Sequence, residues 1–170
     1  THSRLEFDAR GVARLTLDRP EIHNAFDDAL IGELNAHLAK LHVLAERGEV
    51  RLVVLASNGK HFSAGADLHW MKRMVDYGFD DNLADSRELA RLMQQLDELP
   101  CPALCRVQGA AYGGAVGLAA CCDVVNRGVA VRGGVVFVAS EDGRLHALDA
   151  DGLEFLEDAV AGTGTARSLA

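Results

Sequence analysis

Nothing in this 170-residue chain reaches the roughly 18 consecutive apolar residues that a membrane-spanning helix needs. The N-terminus, Thr1-His2-Ser3-Arg4, also lacks the basic-then-apolar shape of a secretory signal, and on these two absences the cytoplasm is the expected location. A basic excess is missing as well, since 17 Lys and Arg face 25 Asp and Glu for a formal charge of -8 and a pI near 5.3. That balance argues against nucleic-acid and anionic-membrane surfaces, which recruit clustered cations. A small anionic ligand stays open, because local amides and a few Arg or Lys can outweigh a distributed negative field. The four cysteines, Cys101, Cys105, Cys121 and Cys122, show none of the paired spacings that bind zinc. No metal is expected, and they read as reduced core residues. Internal repeats and low-complexity tracts are absent too. What remains is a soluble globular composition, 49% hydrophobic and 25% charged.

Periodicity supplies the fold class. Leu5 to Asp8 and Val12 to Leu17 alternate apolar with polar residues about Arg10-Gly11, which predicts an antiparallel pair closed by Arg19-Pro20. From Asp27 the period becomes helical, with Leu30, Leu34, Leu38 and Leu41 in one stripe, Ile31 beside them and Gly48 as a stop. Val50 to Ala56, apolar apart from Arg51, predicts a buried strand ended by Ser57-Asn58-Gly59. A short helix is predicted over Leu68 to Val75 and a mobile loop over Tyr77 to Asp81. A long helix, marked by Leu89, Leu92, Met93, Leu96 and Leu99, then runs to Pro100 and Pro102. Ala103 to Val107 reads as a second buried strand, Gly113 to Ala120 as a short helix of small residues, and Cys122 to Val125 as a strand. This order is that of an α/β fold with helices covering a sheet. After Asn126 the pattern changes to short strands, Val129 to Val131, Val135 to Ala139 and Leu145 to Leu148, around Gly133-Gly134 and Asp142-Gly143, with a frayed polar tail from Gly162. Two parts are expected: a core over residues 1-125 and a β-hairpin-rich tail over 126-170.

Chemistry concentrates in two glycine-punctuated turns. His61-Phe62-Ser63-Ala64-Gly65-Ala66-Asp67-Leu68 follows one apolar strand, and Gly109-Ala110-Ala111-Tyr112-Gly113-Gly114-Ala115-Val116-Gly117 follows another. Each can bring bare backbone N–H groups up to a ligand, so the two together make a two-donor pocket for an oxyanion.

With Leu15-Thr16-Leu17-Asp18-Arg19-Pro20, Asn24-Ala25-Phe26, Val53-Val54-Leu55 and Val107-Gln108-Gly109 through Cys122-Asp123, these turns resemble the N-terminal half of the enoyl-CoA hydratase/isomerase (crotonase) family over residues 3-125. The resemblance implies a crotonase-like sheet of ββα units with flanking helices. It implies an acyl-CoA thioester as partner, with coenzyme A as part of the substrate and no covalently bound cofactor. Within the family, Gly65-Ala66-Asp67-Leu68-His69-Trp70-Met71 and Gly113-Gly114-Ala115-Val116-Gly117-Leu118 look closest to the branch that hydrates methylglutaconyl-type and terpenoid-derived acyl-CoAs. By family position the donors to the thioester enolate are the N–H groups of Ala66 and Gly114. Arg19, Asn24, Ala25 and Lys60 lie where the family holds the adenosine and phosphates of CoA, and Ala64 and Asp67 of the first turn complete the binding set. Asp67 is expected to orient that turn by bonding nearby N–H groups rather than to act as a base. Trp70, Met71 and Met74 read as core or acyl-pocket wall. His61 and His69 flank the site, where a surface histidine is the commoner case.

The chain departs from the family pattern in two places. The first family carboxylate falls on Gly117, and the second, in a stretch of the form Phe-x-x-Ser-Glu, is offered only by Phe137-Val138-Ala139-Ser140-Glu141 at a displaced spacing. Glu141 is therefore either the remaining candidate acid or base, or a solvated turn residue. Residues 121-152, with Cys121-Cys122-Asp123-Val124-Val125, Val136-Phe137-Val138 and Asp142-Gly143-Arg144-Leu145, resemble one blade of the quinoprotein (PQQ-dependent) alcohol dehydrogenases, so the chain reads as a hybrid joined at the shared cysteine peptide. One blade cannot make a propeller, and no quinone chemistry is expected. The leading expectation is an acyl-CoA hydratase or isomerase; its rivals are a catalytically impaired CoA-binding or structural hybrid and, more weakly, a quinoprotein fragment. Family members carry a further C-terminal helical segment that closes the pocket and builds a trimer; this sequence is expected to end before it, with the tail or a neighbouring subunit covering an apolar face. A homo-oligomer is the expected state.

Overall fold

The computed structural model describes residues 1–125 in full and, beyond them, the backbone of four strands, Val129–Arg132, Val135–Ala139, Leu145–Asp149 and Phe155–Asp158. The chain divides into two units, Thr1–Cys122 and Asp123–Ala170.

In the first unit the alternating N-terminal segments form β1 (Ser3–Phe7) and β2 (Val12–Leu17), antiparallel from Ser3 opposite Leu17 to Phe7 opposite Ala13. The turn between them is held by Asp8, whose Oδ1 accepts from the Arg10 and Val12 amides at 2.8 and 3.0 Å, and by Gly11 at φ 79°. The β-branched run after Val50 gives β3 (Leu52–Ser57), which lies parallel to β2, and β4 (Ala103–Cys105) lies parallel to β3. This order puts Ala13, Leu15 and Leu17 on one buried face of β2, with Val53 and Leu55 buried in the neighbouring strand.

Helix α1 (Asp28–Glu46) begins where the helical period begins, because the Asp27 carboxylate accepts from the Leu30 amide at 2.8 Å. It ends at Arg47, just before Gly48 at φ 73°. Its stripe of Leu30, Ile31, Leu34, Leu38 and Leu41 is buried, each side chain contributing about 1.5–3 kcal/mol of hydrophobic stabilisation. Helix α2 (Leu68–Met74) is short, and α3 (Phe79–Asp97) packs beside α1. Between α1 and α3 the buried Asn35 amide donates to the Glu88 carbonyl at 3.0 Å and to its carboxylate at 2.9 Å, while Gln95 Nε2 donates to Asn35 Oδ1 at 2.9 Å.

Helix α3 starts ten residues earlier than its apolar marks suggest, so of the loop expected over Tyr77 to Asp81 only Tyr77 and the N-cap Gly78 precede it, and Phe79 to Asp81 lie in its first turn. Gly78 supplies the extended N-cap, and Asp80 and Asp81 face the helix N-terminus, where negative charge is favoured. Its first turns bury no side chain completely, so no apolar stripe announces them. Helix α4 (Gly114–Ala120) follows the second glycine turn, and the strand expected from Cys122 is only β5 (Val124–Val125), which belongs to the second unit.

The other strands of the second unit, β6 (Val129–Arg132), β7 (Val135–Ala139), β8 (Leu145–Asp149) and β9 (Phe155–Asp158), form an antiparallel sheet in chain order. The last was not expected from the sequence. The turn residues Gly133-Gly134 and Asp142-Gly143 and the tail from Gly162 lie outside the described residues.

Candidate active site

Both glycine turns leave the same end of the parallel strands, and backbone pairing knits them together. Ser63 and Ala111 form a parallel bridge, the Phe62 and Ser63 amides donate to the Ala110 carbonyl at 3.0 and 3.3 Å, and the Tyr112 amide donates to the Ser63 carbonyl at 3.1 Å. At the crossing the chains touch. A Cβ on Gly65, which sits at φ 84°, would lie 2.8 Å from the Tyr112 carbonyl oxygen and 3.6 Å from Gly113 Cα. Backbone atoms cannot yield to such a contact, so the approach requires glycine at position 65. Gly113, at φ 53°, is the N-cap residue of α4.

Ala66 and Gly114 each follow one of these touching glycines. Ala66 bridges Phe26 on its other side, through the Phe26 amide to Gly65 O at 2.8 Å and the Asp67 amide to Phe26 O at 2.7 Å. Among the described residues neither the Ala66 N–H nor the Gly114 N–H has a hydrogen-bond partner. Ala66 is exposed and Gly114 half-buried. The arrangement thus offers two open backbone donors on adjoining turns.

The side chains expected to hold CoA divide into two groups. Asn24 is fully buried at φ 53°, and its side chain is spent inside the protein. Its Oδ1 accepts from the Arg19 amide at 2.8 Å, while Nδ2 donates to the carbonyls of Asn58 at 2.8 Å and His61 at 3.2 Å. The Arg19 guanidinium is held by Asp27 at 2.6 Å and donates to the Ala25 carbonyl at 3.3 Å. Ala25 is buried beneath it. These three residues form the floor that carries the first turn. Lys60 and Ala64 are exposed, and the Lys60 ammonium has no ion-pair partner among the described residues.

Asp67 caps α2, accepting from the His69 amide at 2.7 Å and the Trp70 amide at 3.0 Å. The Trp70 and His69 amides, with positive charge from His69 and Arg19, hold its carboxyl below the usual carboxylate range against the opposing effect of burial. A carboxylate so held is a poor base and a good cap. Trp70 is buried, its indole N–H without an acceptor among the described residues, whereas Leu68, Met71, Tyr112 and Val116 expose apolar surface around the turns.

Gly117 lies one turn into α4, where a Cβ would meet Met93 Cε at 3.1 Å, so position 117 faces α3. Glu141 lies outside the described residues. Among the described residues no group of three or more His, Cys, Asp or Glu could hold a metal ion, and no helix is long and apolar enough to cross a membrane.

Residues 8–138 match the family model described as enoyl-CoA hydratase/isomerase. The chain belongs to the enoyl-CoA hydratase/isomerase family. It is 43% identical to an enoyl-CoA hydratase of Shewanella pealeana, whose crystal structure superimposes with a TM-score of 0.69 over 74% of this chain and 46% of that one. It is 37% identical to the 1,2-epoxyphenylacetyl-CoA isomerase of Escherichia coli, covering 68% of this chain and 44% of the relative. It is 34% identical to the mitochondrial enoyl-CoA hydratase of Pongo abelii, over 69% and 38%. The chain thus spans less than half the length of these relatives. The fold is crotonase-like, a mixed sheet with flanking helices.

The family match runs past residue 125 to 138, and the resemblance of residues 121-152 to a quinoprotein blade gains no support. The vicinal cysteines that suggested it fall inside the enoyl-CoA hydratase/isomerase match. Cys122 is a buried thiol that shares a hydrogen bond with Cys105, and this contact followed by burial pushes its pKa up. Core packing accounts for it without a quinone.

Proposed function

We propose that this chain binds acyl-CoA thioesters and stabilises their enolates in hydration or double-bond isomerisation, with the amides of Ala66 and Gly114 as the oxyanion donors. The observation that supports this most directly is the pair of unpartnered N–H groups on two turns that touch at Gly65 and Gly113. When water adds to the β-carbon of an enoyl thioester, or a proton leaves the α-carbon, negative charge collects on the thioester oxygen. Two preorganised donors in a site shielded from water lower that barrier by about 3 kcal/mol each. Because hydrogen bonds tie both turns, from the Phe26 amide to the Gly65 carbonyl at 2.8 Å and from the Tyr112 amide to the Ser63 carbonyl at 3.1 Å, the donors have little to reorganise as the charge develops.

In this reading Lys60 meets the phosphates of CoA, the Ala64 backbone borders the adenosine, and Arg19, Asn24, Ala25 and Asp67 shape the cleft from beneath. Leu68, Met71, Tyr112 and Val116 give the acyl chain an apolar wall. Glu141 supplies the proton-transfer group that position 117 does not. A homo-oligomer closes the site.

Calorimetric titration of crotonyl-CoA against the chain, paired with the absorbance of the bound enoyl group, tests the proposal. Saturable binding with a red-shifted enoyl band is the expected result. Gly114→Pro, which removes one donor, should abolish the shift and weaken binding. Unchanged affinity and an unchanged band in a folded Gly114→Pro variant would remove Gly114 from the site.

A further inference from the structure

His61 stands at the seam where three segments meet. Its carbonyl accepts from Asn24 Nδ2 at 3.2 Å and from Ser57 Oγ at 3.3 Å, and its ring lies edge-on to that of His23 with centroids 5.4 Å apart. On the third side the ring reaches the second glycine turn, where the Ala110 amide donates to His61 Nδ1 at 3.1 Å. The backbone makes room for this contact. Gly109 sits at φ 59°, and a Cβ there would collide with the Lys60 carbonyl and lie 2.8 Å from His61 Nδ1.

We propose that His61 is a positioning residue for the oxyanion site, acting as the Nε2–H tautomer whose Nδ1 anchors the second turn through Ala110. Nδ1 accepts the Ala110 proton and so carries none itself, which leaves the proton of a neutral ring on Nε2. Ala110 is the residue whose carbonyl receives the Phe62 and Ser63 amides, and Tyr112, two residues on, abuts Gly65. His61 therefore fixes Ala110 from its N–H side while the first turn fixes it from its carbonyl side. The chain from Ala110 to Gly114 leaves this clamp with a set direction, and the Gly114 amide inherits it. Small losses of alignment at a donor are costly, and a supporting group that locks the donor's own backbone preserves the geometry.

The inference rests on the oxyanion reading for its consequence but not for its test. Two variants separate the ring's acceptor from its bulk: His61→Asn places Oδ1 near the site of Nδ1, whereas His61→Leu fills the space with no acceptor. In the unliganded chain, long-range proton–nitrogen correlation spectra should show His61 as the Nε2–H tautomer. Amide exchange at Ala110 should accelerate about tenfold or more in His61→Leu and stay near the parent rate in His61→Asn. With crotonyl-CoA bound, the red shift of the enoyl band should be lost in His61→Leu and retained in His61→Asn, with affinity changing less than the shift. An Nδ1–H tautomer, or equal Ala110 exchange in the Leu and Asn variants, overturns the role of His61. If those spectra come out as expected but the parent chain gives no enoyl shift, the oxyanion reading fails and the anchoring of Ala110 stands.

Discussion

Replacing Asn24 with alanine removes a fully buried side chain that makes three hydrogen bonds, tying the Arg19 backbone to the Asn58–His61 turn. The three hydrogen bonds are unequal. The Arg19 amide, part-buried and 2.8 Å from Oδ1, would be left short of an acceptor at a cost of about 1–1.5 kcal/mol. The Asn58 carbonyl belongs to an exposed residue that water can serve, and the His61 carbonyl keeps the Ser57 hydroxyl, so each of these losses is about 0.5 kcal/mol. Alanine must also take a left-handed backbone, at φ 53°, for about 1 kcal/mol more. The expected total is about 3 kcal/mol. Trp70, the single tryptophan, is buried in α2 and reports unfolding by fluorescence. With a urea slope of about 2 kcal/mol/M the midpoint should fall by about 1.5 M. Asn24→Gly loses the same hydrogen bonds but is free at positive φ, and should be about 1 kcal/mol less destabilising than Asn24→Ala. An alanine variant within about 0.5 kcal/mol of the parent would refute the hub; a glycine variant no milder than alanine would refute the backbone argument.

Three further outcomes are expected. Asp67, whose pKa is lowered on folding, contributes stability that is fully present above the unfolded value of about 3.9 and lost as pH falls through the folded value. The stability gap between the parent and Asp67→Ala should hold steady from neutrality to about pH 4 and close below it, as read from urea midpoints along an acid series. Asp67→Asn, which still caps α2, should show a smaller gap. Glu141→Gln should abolish crotonyl-CoA hydration while calorimetric binding persists; turnover that survives would assign proton transfer elsewhere. Gly117→Glu should cost about 1 kcal/mol by pressing on the flexible end of Met93, and Met93→Ala in the same chain should relieve that cost in a double-mutant cycle.

Where packing writes a period into the chain, the sequence is legible. The stripe from Leu30 to Leu41 with Asp27 before it and Gly48 behind it marks α1 almost to the residue, and alternation marks β1 and β2. The first half of α3 is solvated and carries no stripe, so its residues read as loop until Leu89. The positions of the two open amides follow from glycine spacing and from family resemblance. The floor beneath them does not. Arg19 and Asn24 are polar residues in an irregular segment, and nothing local distinguishes a side chain that meets a ligand from one that meets Asp27 or the Asn58 carbonyl far along the chain. The anchoring contact of His61 is hidden for the same reason, because Ala110 lies beyond α2, α3 and β4.

That separation has a kinetic side. The two turns meet across a loop that contains two helices and a strand, and the hydrogen bonds that pair them, from Phe62 and Ser63 to Ala110 and from Tyr112 to Ser63, form only when that loop is closed. Closing so long a loop costs chain entropy that is recovered only when the intervening elements have docked. The paired donors should therefore be among the last features to appear during folding, after the β1–β2 hairpin, whose contacts are local. A refolding experiment with enoyl-CoA present would then show tryptophan burial before the enoyl band moves. Ligand competence becomes a clock for the completion of folding.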